Sequence, residues 1–461
     1  MPKKWHVLRR KYLLPLTKES CDLLISGGFV ITVSDREESF FGDVAITGNS
    51  IVAVGQKLDF VASKTIDASG CAVIPGFVNA HMHETLDRGV FEDLPFTVWL
   101  NEFALPKDTA YTPEHIRAAA LLNQTEMIAN GTTTFIDIFR HPNEAAAVAE
   151  RSGLRAIFSP QLIDDPLGPG ESLNTTLGFM ERWNGRVPDR IHTWFGPHAM
   201  YSCSAETLRE IRVHADRMGV GIHIHLAETP FEVEWVAQQS NGKTPTEYLD
   251  ELIGLGSDVL AAHCIELTNA DMDRLAATGV GVAHCPTSNA KLGNGVARVV
   301  EMQKRGVRVG LGTDSNMTNN NLDMIEEMRM ASLVQKQLLR DPTVLSSFET
   351  LRLATRGSAE ALGMGDIIGS LEPGKRADIA IVDLCEPHMR PIVSHGRTNI
   401  VEQVVWSGSG SDVRDTIVDG KVLMRNRVIQ TLDTTDLIEV ADIQLLDLLT
   451  RAGVLEKRFA R

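Results

Sequence analysis

Residues 78–89 read "VNAHMHETLDRG", an apolar, β-rich run that ends in His81 and His83 with Glu84 directly behind them. Side chains two apart on a strand point the same way, so the two imidazoles leave the strand end together. The run belongs to a longer one, "CAVIPGFVNAH" (71–81), and seven more of the same kind follow. They are "GTTTFIDIF" (131–139), "RAIFSPQLI" (155–163), "RIHTWFGPH" (190–198), "GVGIHIHLAE" (219–228), "DVLAAHC" (258–264), "GVGVAHCP" (279–286) and "VRVGLGTD" (307–314). Most of the intervening segments, such as "PEHIRAAALLNQTEMIAN" and "SAETLREIRVHADRMGV", carry the 3.6-residue apolar spacing of amphipathic helices. Eight near-continuous apolar strands alternating with helices predict an α/β protein built on a (β/α)8 TIM barrel, with its site at the C-terminal strand ends. A doubly wound open sheet is the competing fold, but no GxGxxG follows an early strand.

The ends of the chain have a different texture. "CDLLISGGFVITVSD" and "GDVAITGNSIVAVG" near the start, and "GKRADIAIVDL" and "DTIVDGKVLM" near the finish, are short β-rich runs broken by glycine turns. These predict an N-terminal extension over 1–20, a small accessory β-sandwich made from 21–74 plus 370–461, and a catalytic barrel over 75–369.

Composition narrows the function. The 461 residues, 43% hydrophobic and 23% charged, are those of a globular protein with one large domain and a smaller one. Sixty acidic against 45 basic side chains give a formal charge of -15 with no dense basic stripe, which argues against nucleic acid or a membrane surface as partner. No apolar run is long enough to span a bilayer, and the basic N-terminus lacks the core of a signal peptide. Six scattered cysteines without a CxxC pair suit a reducing cytoplasm. The expected partner is a small-molecule substrate, and the expected assembly a homo-oligomer.

Six of the eight strand ends carry a histidine or an aspartate: His81 with His83, His198, His225 followed by Glu228, His263, His284 and Asp314. One such residue is unremarkable, but packing alone does not put so many polar groups where apolar side chains usually sit. His81, His83, His225 and Asp314 would give three nitrogens and one oxygen, a set suited to one divalent ion, Zn first, with Fe, Co and Mn also accepted. Such an ion lowers the pKa of a bound water from 15.7 towards about 7. Glu228 is placed to carry a proton to a leaving nitrogen and His263 to hydrogen-bond developing charge. His284 has two open readings, shaping the loop "HCPTSNAKLGNG" or joining the chemistry. The asparagines of "TNNNLDM" (318–324) read as helix caps.

Taken in order, "GFVNAHMH", "GTTTFID", "GPHAMYSC", "HIHLAE", "AAHC", "HCPTSNAKLGNG", "GLGTDSNMTNNNLDM" and "GSLEPGKRADIAIVDL" resemble the amidohydrolase superfamily. The likeness is to the mononuclear branch of cytosine, guanine and S-adenosylhomocysteine/5-methylthioadenosine deaminases. It implies a single metal held by His81, His83, His225 and Asp314, since no lysine ends strand four. It also implies Glu228 as proton shuttle, His263 as hydrogen-bonding histidine, and Asp314 as a second proton acceptor. "DRGVFEDLPFTVWL" resembles the lid of the adenosine-type enzymes, which implies that Trp99 packs on the substrate, Asp108 binds ribose hydroxyls and His198 meets the heterocycle. "FSPQLIDDPLGPGESL" lacks the arginines that bind the amino-acid tail of S-adenosylhomocysteine in that branch. Glu84 and Asp87 depart from the small residues usual after the histidine pair, and Glu84 is read either as a solvated loop residue or as a substrate contact.

The expected function is deamination of an amino-substituted nitrogen heterocycle: a purine, pyrimidine, nucleoside or pterin. The alternative from the same branch is hydrolysis of a C–N or C–Cl bond in a triazine, or of a urea, carbamate or thiocarbamate. Glu84 and Asp87 favour that alternative slightly. An inactive scaffold is the third reading, and it predicts a broken ligand set.

Overall fold

The structure is a computed structural model that describes residues 19–94, 98–164, 170–393 and 395–459. The expected extension over 1–20 therefore falls, apart from its last two residues, outside the described residues.

Eight parallel strands form the barrel: β1 (Phe77–His83), β2 (Thr132–Asp137), β3 (Arg155–Phe158), β4 (Ile191–Thr193), β5 (Ile222–Leu226), β6 (Val259–His263), β7 (Gly281–His284) and β8 (Arg308–Leu311). β1 to β4 are hydrogen-bonded in sequence, as are β5 to β8. A bridge between Phe195 and Ile222 joins the two halves on one side. On the other, Asp314 and Ser315 pair with Met82 and His83, bringing a residue of the last strand run beside the first. These strands are almost wholly buried, which is why the sequence runs are continuous rather than alternating. Val78, Ala80, Ile136, Ile157, Leu260 and Ala283 pack together inside the barrel, against Ala359, Leu362, Met364 and Ile368.

The helices start where local chemistry supplies partners for their free N–H groups. Thr268, for example, accepts from the Asp271 backbone N–H while the Asp271 carboxylate accepts from the Thr268 N–H, so Asn269–Thr278 begins on a closed reciprocal cap. Gly279 ends that helix at φ 74°, a left-handed conformation that glycine adopts without steric cost.

The run 71–81 is two strands. Cys71–Pro75 pairs with Glu19–Ile31 and Ile379–Asp383 in a separate nine-stranded sheet, and only from Phe77 onward does the chain enter the barrel. Gly76 makes the junction because a Cβ there would lie 2.1 Å from the Thr133 side chain. The sheet is joined from both chain ends, with 19–75 contributing five strands and 379–429 four. Glu19–Ile31 has a register break between Ile25 and Gly28; its first part pairs with Phe60–Asp67 and its last with Cys71–Pro75. Arg155, buried at the start of β3, donates to Asp378 at 2.9 and 3.2 Å and to Asp419 at 2.6 Å, tying the sheet to the barrel.

Not all of 370–461 lies in that sheet. The helix Leu437–Arg451 packs instead on barrel-side elements, with Ala441 against Leu86, Ala118 and Ala119, and Leu449 against Val90, Phe91 and Phe103. Its apolar face continues the barrel's helical layer, and the buried His115 meets Asp447 at 2.9 Å. Among the described residues, no helix is long and apolar enough to cross a membrane. All six cysteines are free.

Candidate metal centre and substrate cavity

The C-terminal ends of the barrel strands surround a cavity of about 340 Å³. His83, His198, His225, Glu228, His263 and Asp314 all line it, together with Trp99 and Asp108. The backbone turns sharply here: Ala227, His263, Cys264 and Asp314 all have positive φ. Non-glycine residues in this region are strained, and such strain collects where side chains must be aimed at a site.

His81 and His83 leave β1 on the same side, as the i, i+2 spacing requires, and their Nε2 atoms lie 3.5 and 3.2 Å from Asp314 Oδ1. Ligand atoms of His81, His83 and His225 lie within 4.8 Å of one another, as do those of His81, His263 and Asp314. The tautomer of His81 follows from the hydrogen-bond network. Ser159 Oγ donates to the Asp137 carbonyl at 2.8 Å, so it accepts from His223 Nδ1 at 3.1 Å. His223 Nε2 then accepts from His81 Nδ1 at 2.8 Å, leaving His81 Nε2 without a proton. That nitrogen is buried and has no hydrogen-bond partner. His225 is fixed in the same sense, since its Nδ1 donates to the His198 carbonyl at 2.7 Å. Unprotonated nitrogens facing one carboxylate are the donor set of a metal site, and His223 orients its ligand as outer partners of metal-bound histidines do. The residues present fit one divalent ion.

Electrostatics agree with that fit. Burial pushes His81 down to about 4, and burial with the neighbouring imidazoles holds His225 and His223 well below the ordinary histidine value. Burial acts upward on Asp314, but the imidazoles of His81 and His83 beside it hold its carboxyl well below the usual range. Ser288 Oγ donates to its other oxygen at 2.5 Å.

Glu228 and His263 stand beside this cluster. Glu228 follows Ala227, and both backbone N–H groups donate to the Glu232 carboxylate at 3.0 Å, which clamps the turn after β5. Asn294 holds Glu228 Oε1 at 2.9 Å. Burial raises the Glu228 carboxyl above its ordinary value. Burial works to lower His263, but the carboxylates of Glu228 and Asp314 hold it above the ordinary value. Asn289 Oδ1 lies 2.9 Å from His263 Nδ1, which leaves Nε2 facing Asp314 at 3.9 Å.

Two substrate-side expectations need correction. Glu84 does not line the cavity: as the neighbour of His83 it points to the opposite face of the strand end. It is fully buried and accepts from Asn123 at 3.1 Å and Gln124 at 3.0 Å, with burial raising its carboxyl to about 7. It is therefore neither a solvated loop residue nor a cavity contact. Asp87 also lies away from the cavity wall, bonded to Lys107 Nζ at 2.8 Å and Tyr111 OH at 3.0 Å. His284 is buried behind the cavity wall and does not line it. Of the asparagines after Asp314, Asn321 alone bonds an N–H at the start of the next helix, accepting from Asp323 at 3.0 Å, and the N-cap itself is not an asparagine. Asp323 is that cap, accepting from Ile325 N–H at 2.8 Å, while Asn319 donates to the Thr313 carbonyl at 2.8 Å and Asn320 to Glu92 at 2.9 Å.

Other wall residues gave no signal in the sequence. Lys107 is buried between Asp87 and Asp108, 2.8 and 2.9 Å away, so Asp108 reaches the cavity already paired with a cation. Tyr201, Phe231 and Trp235 add aromatic surface. His223 was legible in principle, standing two residues before His225 in "HIHLAE".

Residues 72–423 match the amidohydrolase family. The chain belongs to that family. It is 41% identical over 437 residues to the 5-methylthioadenosine/S-adenosylhomocysteine deaminase of Pelotomaculum thermopropionicum, covering 93% of this chain and 99% of that one. It is 39% identical over 439 residues to the 5'-deoxyadenosine deaminase of Methanosarcina mazei, at 94% and 99% coverage. Among solved structures, a zinc-bound adenosine deaminase from Xanthomonas campestris superposes with a TM-score of 0.88 at 33% identity, covering 94% of this chain and all of that one. A zinc complex of atrazine chlorohydrolase from Arthrobacter aurescens gives 0.84 at 25% identity, with 92% and 100% coverage. This amidohydrolase is a hydrolase acting on carbon–nitrogen bonds, with a barrel of the family's type and a His/Asp group fit for a divalent metal.

Proposed function

We propose that this amidohydrolase deaminates an adenosine-type nucleoside, releasing its amino group as ammonia, with one zinc ion held by His81, His83, His225 and Asp314. The observation that carries the reading is the bare, buried Nε2 of His81 facing Asp314, with Glu228 and His263 on the same cavity wall. Bound there, the ion supplies a water activated for attack at neutral pH.

The chain's own residues do the rest. Asp314 and Glu228 accept the two protons of the attacking water; Glu228 passes one to the departing nitrogen, which leaves as ammonia, and the other ends on the ring nitrogen beside the attacked carbon, so both carboxylates are restored. His263, whose doubly protonated form the carboxylates of Glu228 and Asp314 favour, keeps one N–H on Asn289 and donates the other from Nε2 towards the oxygen as charge develops on it. Trp99 packs on the substrate, Asp108 receives sugar hydroxyls and His198 meets the heterocycle. Relatives named for methylthioadenosine and deoxyadenosine support the nucleoside, and zinc-bound neighbours support the metal. The triazine alternative leaned on Glu84 and Asp87, and with both turned away from the cavity that support is gone. For the rest we propose a barrel over 75–369, entered at Phe77, beside a β-sandwich from 21–74 and 370–461, with Pro75 on the sandwich side and minus the barrel-packed C-terminal helix, in a cytoplasmic homo-oligomer.

The test is ammonia release and product mass across adenosine, 5'-deoxyadenosine, 5-methylthioadenosine, guanine, cytosine, a pterin and a chlorotriazine. We expect ammonia and a product one mass unit heavier from at least one adenosine. Chloride or an alkylamine from the triazine, with no ammonia from any nucleoside, would overturn the proposal.

A further inference from the structure

Gln161 is a polar residue of the cavity wall to which the proposed deamination assigns no role. It sits on a two-residue strand, Gln161–Leu162, just beyond β3, which pairs with Gly196–Pro197. His198 follows that pair and donates its backbone N–H to the Leu162 carbonyl at 3.0 Å, which sets it on the same cavity wall as Gln161, two residues beyond the Gly196 that faces Gln161. The segments approach closely because residue 196 is glycine: a Cβ there would lie 2.5 Å from the Ser159 carbonyl oxygen.

The backbone of Gln161 is committed on both sides. Its N–H donates to the Phe139 carbonyl at 3.0 Å, and its carbonyl accepts from Glu171 N–H at 2.8 Å. The side chain is not. Gln161 is 3% exposed and lines the cavity, yet its carboxamide makes no hydrogen bond to any described residue, and its Oε1 is buried without a partner. Buried polar groups are nearly always bonded, and a carboxamide left idle on a locked backbone costs free energy until something bonds it. In a cavity wall, that something enters with the ligand.

We infer that Gln161 is a specificity-determining residue whose carboxamide hydrogen-bonds the substrate beside the heterocycle contact of His198. This deepens the proposed deaminase reading and rests on it. The bonded group is either a sugar hydroxyl or a polar edge of the heterocycle.

The test compares wild type with Gln161→Met, close in shape but without hydrogen-bonding capacity, on adenosine, its 2'-, 3'- and 5'-deoxy analogues and free adenine. Metal content and Tm are measured alongside, with Gln161→Ala as a second variant should the first fold poorly. We expect KM to rise about 10- to 100-fold with kcat changed far less. A rise that vanishes for one deoxy analogue assigns the bond to that hydroxyl, and a rise kept on every analogue and on adenine assigns it to the ring. A kcat/KM within about twofold of wild type on all of them, with metal content and Tm preserved, overturns the inference, because a water then serves the carboxamide as well. If wild type itself deaminates none of them, the deaminase reading fails first and the inference falls with it.

Discussion

Glu228→Gln is expected to lower kcat for deamination by about 10² to 10⁴-fold while leaving metal content and Tm unchanged. Glutamine keeps the shape and can still meet Asn294, which holds Glu228 Oε1 at 2.9 Å, so the wall stays intact. What it loses is the ability to take a proton and return it. Burial raises that carboxyl above its ordinary value. Steady-state kinetics with metal analysis on the same sample check this. A variant with full metal and undiminished kcat would remove Glu228 from the proton path.

His263→Ala carries the next largest expectation, a fall in kcat of about 10² to 10³-fold, the usual effect of removing one donor from developing charge. His263 faces Asp314 from 3.9 Å and is oriented by Asn289 at 2.9 Å. It is also close enough to His81 and Asp314 to share an ion with them. Metal analysis separates the two roles. A donor role leaves one equivalent of metal bound and lowers kcat, whereas loss of the ion along with activity would make His263 a ligand and revise the proposed set.

The barrel was legible because its strands are buried on both faces, which makes the sequence runs continuous, and because helices of regular period separate them. The rim histidines were legible for a related reason: in an apolar strand such as Val259–His263, the single polar residue marks the end. The junction at Gly76 was not, since two consecutive strands in different sheets read as one apolar run. Glu84 was misjudged because its neighbours in sequence are ligands, while its neighbours in space, Asn123 and Gln124, come from a helix some forty residues later. Lys107 and Gln161 were invisible for the same reason. Nothing local distinguishes a lysine buried between two aspartates, or a glutamine on a cavity wall, from their solvent-exposed counterparts. His223 is the instructive omission. Strand alternation puts it on the same side as His225, and its bond to His81 at 2.8 Å fixes which nitrogen of that residue is free.

We propose that one metal ion in the His81, His83, His225 and Asp314 cluster makes this amidohydrolase an aminohydrolase. The most direct measurement is a titration of metal-stripped protein with zinc, following ammonia release from an adenosine substrate at each step. We expect no activity at the start and a rate that rises linearly and levels off at one equivalent. Full activity in the stripped protein, or a rate that needs two equivalents, would contradict it.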